Sequence, residues 1–176
     1  YLYSAPHLTL NNGVGLVVWG GSNFTPGGNV TTQGTGEVEV RGTLTDAANT
    51  ITVGGNWTTT AAGILDLSGI STIIFNGGNQ DVDSGGIAGT KEFNIFTHSN
   101  LATGTLRLIN NSVVIKGNFD NQLNNFNMNN LNMTVRGNFT ISGGTFTGGT
   151  GITYFDGSTN FTDTTAGQDV GNIKIN

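Results

Sequence analysis

The chain has 176 residues, enough for one sizeable core, with 29 glycines and only 10% charged residues, where soluble domains average about 7% glycine and about 25% charge. Net charge is -5, with three Lys, three Arg and no Cys, which argues against nucleic acid as a partner and excludes thiolate metal sites and disulfide stapling. No run approaches the roughly 18 apolar residues of a membrane-spanning helix, and no basic amphipathic helix is visible.

Asn, Thr, Ser and Gly, rather than charge, keep such a chain in solution. Its apolar residues are too regularly spaced and too β-branched for a disordered segment. The chain reads as a single domain, residues 1–176, with irregular N-terminal strands over 1–36 and a repeat region over 37–176. In the first part Leu8 and Leu10 alternate, then Val14, Leu16 and Val18, and Pro26-Gly27-Gly28 marks a turn.

From Glu37 the pattern is sharper. In EVEVRGTL, Val38 and Val40 point one way while Glu37, Glu39 and Arg41 point the other, as the period of two requires. The same pattern recurs with Ile51 and Val53, Val113 and Ile115, and Met133 and Val135 as the inward pairs. Each copy runs into a Gly, then Asn or Thr, then an aromatic or Leu, which predicts that Leu44, Trp57, Phe119 and Phe139 enter a common core.

The motif glycines are Gly42, Gly55, Gly117 and Gly137, unevenly spaced along the chain. The last interval predicts one turn of a coil, the middle one about three, and the first, which is the shortest, a hairpin or a clipped turn. Longer echoes run from Gly55 to Gly137, Phe75 to Phe155 and Asn94 to Asn172. They make Thr134 to Gly157 a variant of Thr52 to Gly77, and suggest a cycle of about eighty residues present roughly twice.

Gly and β-branched residues interrupt every window long enough for a helix, so little or no helix is expected. The strip from Gln122 to Asn132 carries apolar residues at 123, 126, 128 and 131 among many Asn, a composition suited to hydrogen-bonded ladders between stacked strands. Two all-β folds fit. A parallel β-helix, or β-solenoid, stacks inward residues in columns and uses Gly and Asn at tight corners; an antiparallel β-sandwich would pair the same strands as hairpins. Turn-like spacing and the lack of tight Asn-Gly hairpins favour the solenoid.

The phrases LxVxGNF/W, GGTFTGG, IxFNGGNQ and GNIKI over residues 37–176 resemble the repeats of large bacterial β-solenoid cell-surface proteins, the filamentous-haemagglutinin-like and related adhesins. What the resemblance implies is an exported adhesive or structural role. It brings no catalytic residue with it.

The inventory for catalysis is small: two His, eight Asp and three Glu, with no GxSxG, HExxH or P-loop. His7 and His98 read as solvated loop residues. Asp81 and Asp83 share one strand face about 7 Å apart, which would suit glycan cleavage by paired carboxylates or the capping of turn N-H groups by Asp and Ser in DVDSGG. Asp156-Gly157-Ser158 offers one or two oxygens toward calcium, short of a shell, so no metal site and no cofactor is expected. Arg41, Lys116 and Arg136 precede their motif glycines on the outward side, either as a strip for a polyanionic glycan or as a partly neutralised face.

Thr-x-Thr pairs begin at 43, 50, 58, 103, 145 and 162, and rows of Thr on a flat solenoid face would order water. These intervals give no regular row. The candidate N-glycosylation acceptors are Asn23, Asn29, Asn56, Asn110, Asn132, Asn138 and Asn160.

Together these readings predict a secreted, non-enzymatic structural or adhesive protein of the cell surface. It would be a β-solenoid unit of a fibre or adhesin stalk, self-associating or continuing in a longer polypeptide through open strand ends such as Ile173 and Ile175. The alternatives are a glycan-binding or glycan-cleaving protein acting near Asp81 and Asp83, and an ice-binding solenoid. The chain begins at Tyr1 rather than Met, as expected of a mature or excised form.

Overall fold

A computed structural model of the chain describes residues 2–3, 7–100 and 103–176, with side chains from residue 7 onward. Its strands are all short, 2 to 4 residues, and they pair in parallel into a β-solenoid of about eight turns. The antiparallel sandwich is thereby excluded, since a strand here meets the strand one turn away and never its neighbour in sequence. Helix is confined to a single 3-10 turn, Gly89–Lys91, among the described residues.

Each turn has three faces. The second face is continuous through eight strands: His7–Leu10, Asn29–Thr32, Thr50–Val53, Thr72–Phe75, Ile95–His98, Phe119–Asn121, Phe139–Ile141 and Phe161–Asp163. The third holds seven, Leu16–Val18, Val38–Val40, Trp57–Thr59, Gln80–Asp83, Thr105–Leu108, Asn125–Asn127 and Thr145–Thr147. The first is split in two. Leu2–Tyr3, Asn23–Pro26, Thr43–Asp46 and Ile64–Leu67 form one sheet, and Val113–Ile115, Met133–Val135, Ile152–Phe155 and Asn172–Ile175 the other. Residues 84–94 lie between these sheets. Residues 7–32, less repetitive in sequence, supply strands in register with those that follow.

Period-two alternation is read correctly by the fold. Val38, Val40, Ile51, Val53, Val113, Ile115, Met133 and Val135 are all buried, as are Leu44, Trp57, Phe119 and Phe139. Because stacked strands hold the same register, like side chains pile into columns. Phe96, Phe119, Phe139 and Phe161 stack on successive turns with ring centroids 5.8, 4.9 and 5.4 Å apart. Phe126 and Phe146 stack beside them at 5.2 Å.

The motif glycines do not all share one corner. Gly42 lies between the third and first faces, Gly55 between the second and third, and Gly117 and Gly137 between the first and second. The short interval from Gly42 to Gly55 is therefore two faces of one turn, neither a hairpin nor a clipped turn. The longer cycle dissolves in the same way: each echo falls one face earlier in the turn than its original, as with Phe75 on the second face and Phe155 on the first. The true period is one turn, whose length varies: it is short where Trp57 stacks on Val38 and long where Leu106 stacks on Gln80. At Gly137 the backbone needs glycine, because its N-H donates to Gly117 O (3.0 Å) and a Cβ would sit 2.5 Å from the Gly117 carbonyl carbon.

Asparagine ties one turn to the next. Oδ1 of Asn12, Asn29, Asn56, Asn79, Asn118 and Asn132 accepts a backbone N-H from the following turn at 2.8 to 3.1 Å. Within the Asn-rich strip, Asn124, Asn129 and Asn130 take left-handed φ angles of 58°, 53° and 61°, a conformation Asn tolerates better than other non-glycine residues.

Candidate functional site

The third face carries a cleft of about 560 Å³ lined by Asn56, Asn79, Asp81, Thr105, Arg107, Asn125 and Asn127. Asp81 and Asp83 both point outward here, as period two predicts, yet each is fully engaged. Asp81 accepts two bonds from the Arg107 fork on the next turn, from Nε at 2.9 Å and Nη2 at 3.0 Å. Asp83 accepts from Gly85 N (2.9 Å), Asn111 Nδ2 (2.7 Å) and Asn110 Nδ2 (2.8 Å). Ser84 Oγ donates its one hydrogen toward Ser112 O on the next turn (2.7 Å), with Gly86 O of its own corner 3.0 Å away. Asp83 and Ser84 thus cap the turn, while Asp81 is ion-paired with Arg107.

The outward cations do not form a strip. Arg41 is clamped by Glu39 through two bonds of 2.7 and 2.8 Å and lies 4.6 Å above the ring of Trp19. Arg136 reaches Glu92 (2.9 Å) and Asp156 (3.4 Å), and the hydrogen bond to Glu92 does most to hold its pKa above the ordinary value. Lys116, its register neighbour, turns away to donate to Leu67 O. The carboxylate of Asp156, considered for calcium, is thus a partner of Arg136. No three His, Cys, Asp or Glu side chains converge on a metal-sized site among the described residues.

The candidate glycosylation acceptors are partly tied into the scaffold. Asn23 accepts from Thr45, and Asn29, Asn56, Asn132 and Asn138 accept backbone N-H groups, all through Oδ1. Attachment at Nδ2 would compete with a hydrogen bond at Asn56, which donates to Glu37, and at Asn110, which donates to Asp83. Asn160 is exposed.

The expectation that both histidines are solvated holds for His7, which is exposed, and fails for His98, which is fully buried. His98 follows Phe75 in an inner column and meets Asn121 one turn on. Asn121 Nδ2 donates to Gly143 O (3.0 Å), which leaves its Oδ1 to accept from His98 Nδ1 (2.6 Å). His98 Nε2 is buried without a partner. Burial lowers the His98 pKa from its ordinary 6.5, and the Asn121 bond raises it by less. The unfolded chain therefore takes up this proton at higher pH than the folded chain, and stability falls as pH drops through and below 6.5. Thermal melts between pH 7 and 5 are expected to show this fall in the wild type and a flatter profile in His98→Gln.

Where the core columns stop, apolar side chains are left uncovered. Phe161 continues the Phe96–Phe119–Phe139 column and is 45% exposed, while Ile173 and Ile175 stack on Thr153 and Phe155 and are 50% and 78% exposed. These are inward positions by register, open only because no further rung lies on them. They form an apolar surface bordered by unpaired strand edges.

Comparison with protein-family models, with curated proteins and with solved structures finds no match to this chain. What its fold defines is a β-solenoid repeat protein.

Proposed function

We propose that this chain is a structural or adhesive segment of a secreted cell-surface protein, a rod that lengthens by stacking rung upon rung. The observation that supports it is the uncovered trio Phe161, Ile173 and Ile175, which sits in core columns and faces the position a next rung would take. Natural sheets usually blunt such edges with charge or a covering element. Here Lys174 is the single cation on the last strand, and it sits over the Tyr154 ring on the outer side. A further rung, from a continuation of the polypeptide or from another copy, can add to this face by parallel strand pairing, and copies that add in this way make a head-to-tail contact that does not close on itself. The rest of the surface fits a passive role: each outward Arg is paired with a carboxylate, and Asp81 and Asp83 are hydrogen-bonded.

Sedimentation of the purified chain over a range of concentrations, with electron microscopy, tests this. End-to-end oligomers that grow with concentration are expected, and Ile173→Lys with Ile175→Lys should return the protein to monomers with an unchanged β spectrum. A wild-type chain that stays monodisperse at high concentration would remove the assembly reading.

A further inference from the structure

The second face carries an array that rung stacking does not use. By register, Thr9, Thr31, Thr52, Ile74, Thr97, Asp120, Thr140 and Thr162 form one outward column, so threonine occupies six of its eight turns. Its members are unevenly spaced in sequence, closer from Asp120 to Thr140 than from Ile74 to Thr97. The Thr-x-Thr pairs had suggested no row because they scatter over all three faces: Thr43 and Thr45 lie on the first, Thr50 and Thr52 on the second, Thr145 and Thr147 on the third.

Three observations point to what this column meets. Among the described residues, none of its six hydroxyls makes a hydrogen bond to the protein, whereas Thr32, Thr45, Thr147 and Thr153 each donate to a protein acceptor. Thr97 is the sharpest case, with only 9% of its surface exposed and its hydroxyl still unpaired. Finally, the outward positions of these eight strands hold one carboxylate, Asp120, whose oxygens already accept from Gln122 and Ser142, and no Lys or Arg.

Stacked strands are about 4.8 Å apart, and outward neighbours within a strand are about 6.7 Å apart. Each Thr therefore repeats a hydroxyl beside a methyl on a fixed two-dimensional lattice, extended sideways by Thr50 and by Thr72, whose hydroxyl donates to Ile70 O (2.9 Å). Hydroxyls anchor water at those points and methyls leave it no competing partner. Charges, which impose hydration shells of their own, are nearly absent. A second protein sheet laid on this face would strand the hydroxyls away from water at a cost. A sugar surface would ordinarily find aromatic platforms, and the outward positions offer none beyond the His7 ring.

We propose that the second face is an ice-binding surface, with Thr9, Thr31 and Thr52 as its centre and the surface of ice, through water ordered on the lattice, as its ligand. This reading does not depend on assembly at the chain's end.

Ice crystals grown in the purified wild-type chain, observed in an osmometer just below the melting point, give the test. Faceted crystals and a gap between melting and growth temperatures that widens with protein concentration are expected. Thr31→Tyr with Thr52→Tyr should abolish both, and Thr58→Tyr on the third face should leave both intact, with circular dichroism confirming the fold. If the tyrosine pair does not fold, Thr31→Val with Thr52→Val keeps the methyls and β-propensity, and should still lose most of the gap. Round, freely growing crystals in wild-type protein would overturn the proposal, as would ice shaping that survives loss of the central hydroxyls.

Discussion

Phe119→Ala is expected to destabilise the chain by about 3–5 kcal/mol, the range for truncating a buried aromatic side chain. Phe119 is fully buried at the crossing of two aromatic columns. It stacks on Phe139 at 4.9 Å, meets the edge of Phe126 at 5.0 Å and reaches Phe96 and Phe146 at 5.8 and 5.9 Å. Its neighbours are fixed by backbone pairing above and below, so the cavity can collapse little. Urea unfolding measures the loss as a lower midpoint with an unchanged slope. Phe161→Ala is the internal control: same column, 45% exposed, and therefore expected to cost much less. Equal losses at the two sites would mean that the column does not pack as described.

The alternation that identified inward residues held because it is a local property of a strand, true whichever face the strand occupies. Val38 and Val40 on the third face and Met133 and Val135 on the first are equally buried. That same indifference hid the phase of the coil. Gly42, Gly55 and Gly137 look alike in sequence and turn three different corners, because a corner needs close backbone approach wherever it is. Only the lengths of Gly- and Asn-rich corners set the phase, and those vary with no hydrophobic signal to mark them. The threonine column was invisible for this reason, since the spacing of its members changes from turn to turn.

His98 was misread for a different one. A polar side chain enters a core when a partner is stationed there, and Asn121 is 23 residues away, a distance that means adjacency only once the turn length is known. The carboxylates were legible in position and ambiguous in role. Alternation placed Asp81 and Asp83 on one outward face, while the partners that occupy them, Arg107 and Asn110, arrive from the next turn.

Lys91 gave no sequence signal, and its loss is expected to cost about 1–3 kcal/mol, because the buried Gly63 carbonyl loses this donor while Thr60 O keeps the Gly63 N-H. It belongs to the interruption of the first face. Where a strand should stack on Ile64–Leu67, residues 84–94 run past instead, with Phe93 rejoining the ladder by pairing with Ile115. The outer edge of Ile64–Leu67 is thereby left without its ladder partner. Lysine amines sit at the two ends of that strand: Lys91 Nζ donates to Thr60 O (2.7 Å), Ala61 O (3.1 Å) and Gly63 O in the corner that precedes it, and Lys116 Nζ to Leu67 O at its last residue. Lys91 is only 5% exposed, and burial draws its pKa below the ordinary 10.5. Lys91→Met keeps the packed stem and removes all three donors. Urea denaturation should record the loss, and limited proteolysis should find cleavage within 84–94 sooner than in wild type. Lys116→Met, with one carbonyl at stake and a partly exposed side chain, should fall well short of it. If the two variants are equally stable, the three-carbonyl cage is not what holds the two halves of the first face together.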